Sequence, residues 1–175
     1  MQTPRYPFRL NLGFFLPQDI GYSHDFPFEF EHIEFTKTFS IRNFDGIVTG
    51  SRTPQGVILQ GDFSGEADLE CARCLKAYTH NLHWEMTELY VFKRENVDDD
   101  NYLLPFNAEI DIEEFVREDA QLDVPINPVC KDGCLGLCQV CGADLNLGDC
   151  GHEEMQDDED DDLASSPFAG LKDLR

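Results

Sequence analysis

Hydrophobic and polar residues alternate along much of residues 1–92. Phe8, Leu10 and Leu12 are separated by polar partners, and Phe26, Phe28 and Phe30 repeat the pattern. A period of two marks strands with one buried face. Thr36–Arg52 and Val57–Leu69 are rich in β-branched and aromatic residues. Between them, Thr53-Pro54-Gln55-Gly56 puts proline and glycine where a tight turn uses them. A further alternating stretch runs from Thr79 to Phe92. Strands joined by short turns predict a largely antiparallel sheet or partial barrel.

The period then changes. Residues 96–101 carry Asp98, Asp99 and Asp100 and read as a loop. Asp111 looks like an N-cap, with Glu114 three residues on at the spacing of a capping box. Ile112, Phe115, Val116 and Ala120 follow at helical intervals, and Pro125 closes the segment. One helix packed on the sheet through that stripe makes the fold class α+β, strand-dominated. There is no internal repeat. No run of about 18 apolar residues is present, which excludes a membrane-spanning helix.

Length and composition fit one domain with a small appendage: 175 residues, 41% apolar, with 14 Phe and 5 Tyr to build a core. The pattern divides the chain into a β-rich body with one helix (1–127), a Cys-rich module (128–152) and an acidic tail (153–175). Thirteen Lys and Arg against 35 Asp and Glu give a net charge of −22. That balance argues against non-specific binding to a bare phosphate backbone, itself a polyanion. Eight of those acids fall in residues 153–162, a solvated, self-repelling run, and removing them from −22 still leaves −14. Beyond the run, Phe168, Leu171 and Leu174 sit three apart, as on one face of a short docking helix.

Seven cysteines dominate the candidate chemistry. An odd number does not suit a secreted disulfide scaffold, and Phe8–Leu16 is broken by Arg9, Asn11 and Gly13 where a signal peptide would be uninterrupted. The expectation is a reducing, cytoplasmic setting, in which clustered cysteines bind metal or do redox work. Cys71-Ala72-Arg73-Cys74 lies between two predicted strands. Cys130, Cys134, Cys138, Cys141 and Cys150 follow the helix, interleaved with glycines, and His152 comes two residues later. Eight candidate ligands suit two closed tetrahedral sites of structural zinc in a zinc-ribbon-like arrangement. Chain order suggests that Cys138, Cys141, Cys150 and His152 form one local Cys3His site. Cys130 and Cys134 would then pair with Cys71 and Cys74, clamping the module onto the β-hairpin. Soft sulfur donors favour zinc over magnesium or calcium and leave an iron–sulfur cluster as a lesser option.

Other readings carry less. A redox Cys-x2-Cys belongs at a helix N-terminus, where the dipole lowers a thiol pKa, and Cys71 and Cys74 are placed in a hairpin. No His-Glu-x-x-His, phosphate-binding loop or Gly-x-Ser-x-Gly is present, so no catalytic residue is assigned. His24 and His32 read as strand or surface residues, and His80 and His83 as reserve ligands near Cys74. Arg73, Lys76, Lys93 and Arg94, with Tyr78, Trp84 and Tyr90, are a candidate RNA- or protein-facing patch.

Glu70-Cys71-Ala72-Arg73-Cys74-Leu75, the helix start Ile110-Asp111-Ile112 and residues 125–146, PINPVCKDGCLGLCQVCGADLN, resemble the YceD family of large ribosomal RNA subunit accumulation proteins. The likeness covers roughly residues 40–152, and Leu171-Lys172-Asp173-Leu174 is similar to the family's bacterial tails. It implies a factor for accumulation of large-subunit ribosomal RNA, acting in assembly or processing without an established catalytic activity. Relatives often read Cys-x-Cys where this chain has Cys150-Gly151-His152. The partners expected are a basic ribosomal protein or pre-ribosomal particle, with ribosomal RNA met directly or indirectly. No membrane and no small-molecule substrate is inferred. An RNA-processing enzyme and a generic zinc-stabilised adaptor are the alternatives.

Overall fold

The computed structural model describes residues 6–152; the acidic run and the Phe168, Leu171 and Leu174 stripe lie outside them. Among the described residues, seven strands and one α-helix occur in the order β1 (Arg9–Asn11), β2 (Ser23–Thr36), β3 (Phe39–Arg52), β4 (Gly56–Glu70), β5 (Ala77–Val91), β6 (Tyr102–Leu103), β7 (Glu109–Asp111) and α1 (Glu113–Asp123). Strands β2 to β5 form a long antiparallel meander, as alternation predicts. The sheet order is β2-β3-β4-β5-β6. Among the described residues its edge strands β2 and β6 do not pair with each other, so the sheet is open and is not a closed barrel. It is also mixed, because β6 runs parallel to β5 at Tyr90–Tyr102 and Val91–Leu103.

Register explains the core. Odd positions of β4 and even positions of β5 face inward together, pairing Val57 with Tyr90, Gly61 with Met86, Phe63 with Trp84 and Gly65 with Leu82. Phe63 is wholly buried, and its ring lies against Gly61, where a Cβ would stand 2.5 Å from Cε2. Phe8, Phe28, Phe44, Phe63 and Trp84 continue the core as tilted, edge-on and stacked aromatic pairs, with centroids 5.3–6.4 Å apart along the chain of contacts. β1 pairs with β7 in a two-stranded layer, bringing Leu10 opposite Ile110 and burying Phe8, Leu12 and Ile112.

Asp111 does not cap α1 as predicted. The N-cap is Ile112, whose side chain can offer no hydrogen bond. Asp111 closes a local turn instead, its Oδ1 accepting from Glu113 N at 3.1 Å. Glu114 faces Arg117 at 3.8 Å. The requirement that won is pairing: Asp111 is held in β7 opposite Arg9. α1 buries Val116 and Ala120 and ends before Pro125, which forces the preceding residue out of helical geometry. It is fixed beside β5, where Asp123 Oδ2 accepts from His83 N at 2.9 Å. No helix among the described residues is long and apolar enough to cross a membrane.

Candidate metal centres

β4 ends and β5 begins at the Cys71–Cys74 turn. Leu75 N bonds Cys71 O at 2.9 Å, and Cys71 N bonds Lys76 O at 2.9 Å. The turn forces Leu75 to a φ of 58°, a left-handed conformation in which its own side chain is strained. The chain after α1 crosses this turn and is stitched to it. Ala72 N donates to Pro128 O at 2.7 Å, and Leu137 N to Arg73 O at 3.1 Å. Arg73 Nη1 donates to Cys134 O at 2.9 Å. Gly136 is required at this crossing: its φ is 77°, and a Cβ would lie 3.0 Å from Arg73 O.

These crossings bring Cys71, Cys74, Cys130 and Cys134 into one inner cluster. Their sulfur atoms lie within 4.8 Å of one another, with Cys71–Cys134 at 3.9 Å and Cys74–Cys130 at 3.7 Å. All seven cysteines are free thiols. Four sulfurs about 2.3 Å from a central ion stand about 3.8 Å apart, so the spacing suits tetrahedral ligation. Cys71, Cys74 and Cys134 are buried under Tyr78, Val129 and Leu137. Four thiolates this close cannot all ionise without a cation between them, and the acidities split accordingly. Burial pushes the Cys71 thiol up, but backbone N–H groups of Cys74, Cys130 and Arg73 outweigh it and bring it to about 6. Burial and the neighbouring thiols push Cys130 up to about 12.

Asn146 and Asp144 surround this cluster and escape sequence reasoning. Asn146 Nδ2 donates to Cys134 Sγ at 3.5 Å and to Asp144 Oδ1 at 2.7 Å, while Asn146 Oδ1 accepts from Leu135 N at 3.0 Å. Lys76 Nζ meets Asp144 Oδ2 at 2.5 Å. Hydrogen bonding from that ammonium and from Asn146 draws the Asp144 carboxyl down to about 2. The available signal was weak: an Asn and an Asp inside the Cys-rich run.

Cys138, Cys141, Cys150 and His152 form the outer cluster, again within 4.8 Å of one another. Gly142 N bonds Cys138 O at 2.8 Å, closing the Cys-x2-Cys turn with Gly142 at a φ of 72°. His152 Nδ1 is 3.4 Å from Cys150 Sγ. Backbone N–H groups of Cys141 and Val140, with the Cys150 thiol, lower Cys138 to about 6. Both clusters can hold a metal ion. The reserve histidines join neither: His83 Nε2 pairs with Asp62 at 3.3 Å, and the His80 ring packs beside Tyr78.

The candidate basic patch is not one surface. Arg73 and Lys76 precede β5, whereas Lys93 and Arg94 follow it, and 15 extended residues separate the ends by about 50 Å. Arg73 and Lys76 are engaged within the inner cluster's surroundings, Lys93 pairs with Glu95 at 3.5 Å, and Trp84 and Tyr90 are buried.

Residues 59–175 match the family described as Large ribosomal RNA subunit accumulation protein YceD, a match that starts later than the resemblance from residue 40. An uncharacterized protein of Mycobacterium bovis is 31% identical over 108 residues, which is 59% of this chain and 52% of that protein. An Arabidopsis thaliana protein named Large ribosomal RNA subunit accumulation protein YCED homolog 1, chloroplastic, is 39% identical over 59 residues, 33% of this chain and 18% of its own length. A Zea mays protein of the same name is 39% identical over 49 residues, 28% and 17% of the two chains. The chain spans about half the length of the mycobacterial relatives it matches. No solved structure matches.

Proposed function

Because the chain belongs to the YceD family, we propose that it is a non-enzymatic, zinc-stabilised factor supporting large-subunit assembly and accumulation of large-subunit ribosomal RNA. The observation that carries the zinc part is the pair of four-donor clusters, seven sulfurs and one imidazole. Zinc takes such soft sets tetrahedrally, and four protein donors leave no open position for a substrate or reactive water. That closure is why the reading assigns structure, and no catalysis, to the ions. Cys71, Cys74, Cys130 and Cys134 would hold one ion; Cys138, Cys141, Cys150 and His152 would hold the other.

In this reading the body is residues 1–127, the zinc module 128–152 and the tail 153–175, all acting in the cytoplasm. The net charge of −22 directs the protein toward basic partners. Ribosomal proteins that bind RNA are rich in Lys and Arg, so an acidic surface can hold one, or a pre-ribosomal particle, while RNA is met directly or indirectly. A pull-down with the tagged full chain at low salt should recover large-subunit proteins, and raising the salt should release them. Recovery of no ribosomal protein at low salt would contradict the partner assignment.

A further inference from the structure

We propose that the two centres differ in kind: the inner one holds its ion as a lasting clamp, and the outer one is redox-responsive and releases its ion reversibly. The proposal rests on the zinc reading above and extends it. Solvent access separates the two sets. In the inner set Cys71, Cys134 and Cys74 are only 0%, 2% and 5% exposed, and Cys130 is half-buried, so no inner sulfur is fully exposed. In the outer set only Cys138 is buried; Cys150 is half-buried, and Cys141 and His152 are exposed. An oxidant or competing ligand therefore reaches Cys141 without any opening of the core, and thiol reactivity follows such access.

The outer centre can also open without undocking the module. The segment between Cys141 and Cys150 is anchored to the inner centre by contacts that use no outer ligand. These are the Lys76–Asp144 ion pair, the Asn146–Cys134 hydrogen bond and the bond from Leu145 N to Gly136 O. Cys138 and Cys141 sit on one closed turn with sulfurs in the same 4.8 Å cluster.

The chemistry balances with hydrogen peroxide as oxidant. The Cys141 thiolate attacks the peroxide, breaking its O–O bond, expelling hydroxide and becoming a sulfenic acid. The Cys138 thiolate attacks that sulfur, a second hydroxide leaves, and a Cys138–Cys141 disulfide forms. Two thiolates have lost two electrons, and two protons convert the hydroxides to water. Cys150 and His152 alone cannot retain the ion, so zinc leaves. A dithiol reductant and free zinc reverse the step.

The test starts with the metal content of the full chain, two zinc per chain being the premise. Graded hydrogen peroxide in the presence of a chromogenic zinc indicator should then release one of the two. Peptide mass spectrometry should find the Cys138–Cys141 disulfide, with Cys71, Cys74, Cys130 and Cys134 unmodified and the far-ultraviolet circular dichroism unchanged. Cys141→Ser should fold, carry one zinc and resist release at the same peroxide dose. Simultaneous loss of both ions, earlier oxidation of the inner cysteines, no release before unfolding, or a Cys141→Ser chain that does not fold would each overturn the proposal. Fewer than two zinc in the untreated chain would instead defeat the zinc reading itself, and the proposal with it.

Discussion

Asn146 shows how much one uncharged side chain can organise. It donates to the Cys134 sulfur and to Asp144, accepts from Leu135 N, and Asp144 in turn meets Lys76. Groups that orient a ligand are worth about 10- to 100-fold in metal affinity. Asn146→Ala should weaken metal binding at the inner centre by about that factor in a competition titration with a chelator, while the outer centre is unaffected. Tyr90 sets part of the alkaline stability. Burial, aided by Glu88, Tyr102 and Asp111, raises its phenol above the ordinary value. The fold therefore prefers the neutral ring: its contribution is fully present below about pH 10 and is lost as pH rises above that. Urea midpoints measured from pH 9 to 11 should fall more steeply for the natural chain than for Tyr90→Phe. Equal slopes would remove Tyr90 from the alkaline response.

At the scale of elements, what alternates was readable and what pairs over long distances was not. β2 to β5 announce themselves because each is 14 or 15 residues long and buries one face. β6 has only two residues, too few for a period to show, and the three of β7 were hidden because Ile110-Asp111-Ile112 also reads as a helix start. The pairing of Leu10 with Ile110 spans most of the chain and depends on the finished core. The same nonlocal pairing explains why Asp111, a good cap by type and spacing, serves β7 instead. The sheet interior carries its own test. Gly61→Ala puts a methyl against the Phe63 ring, an overpacking worth about 1–3 kcal/mol. Phe63→Leu should cost stability alone yet relieve part of that clash, so a double-mutant cycle in urea should show the two substitutions coupled. Simple additivity would place the Phe63 ring elsewhere.

Across the whole molecule, the cysteines were visible in the sequence, whereas the geometry that gathers them was not. Cys71 and Cys130 are far apart in the chain; the end of the β4–β5 hairpin and the crossing at Gly136 bring their segments together. The four basic residues show the reverse. They look close along the chain, yet a full-length strand holds them apart. This construction predicts unequal dependence on metal. Removing any bound metal with a strong chelator should leave the far-ultraviolet spectrum of the sheet largely intact, because its aromatic core lies outside the clusters. Residues 128–152 should become accessible to protease under the same treatment, since little apolar surface besides Tyr78, Val129 and Leu137 holds them. Global unfolding on metal removal would mean that the clamp supports the body as well.

Whether that clamp serves the large ribosomal subunit is read from a ribosome profile. The gene is depleted in its host, and cells are rescued with the natural chain or with Cys71→Ser/Cys74→Ser. Extracts are then resolved on sucrose gradients, with precursor large-subunit RNA measured in parallel. Depletion should leave fewer large subunits and accumulated precursor, restored by the natural chain and not by the variant. An unchanged profile on depletion would contradict that role.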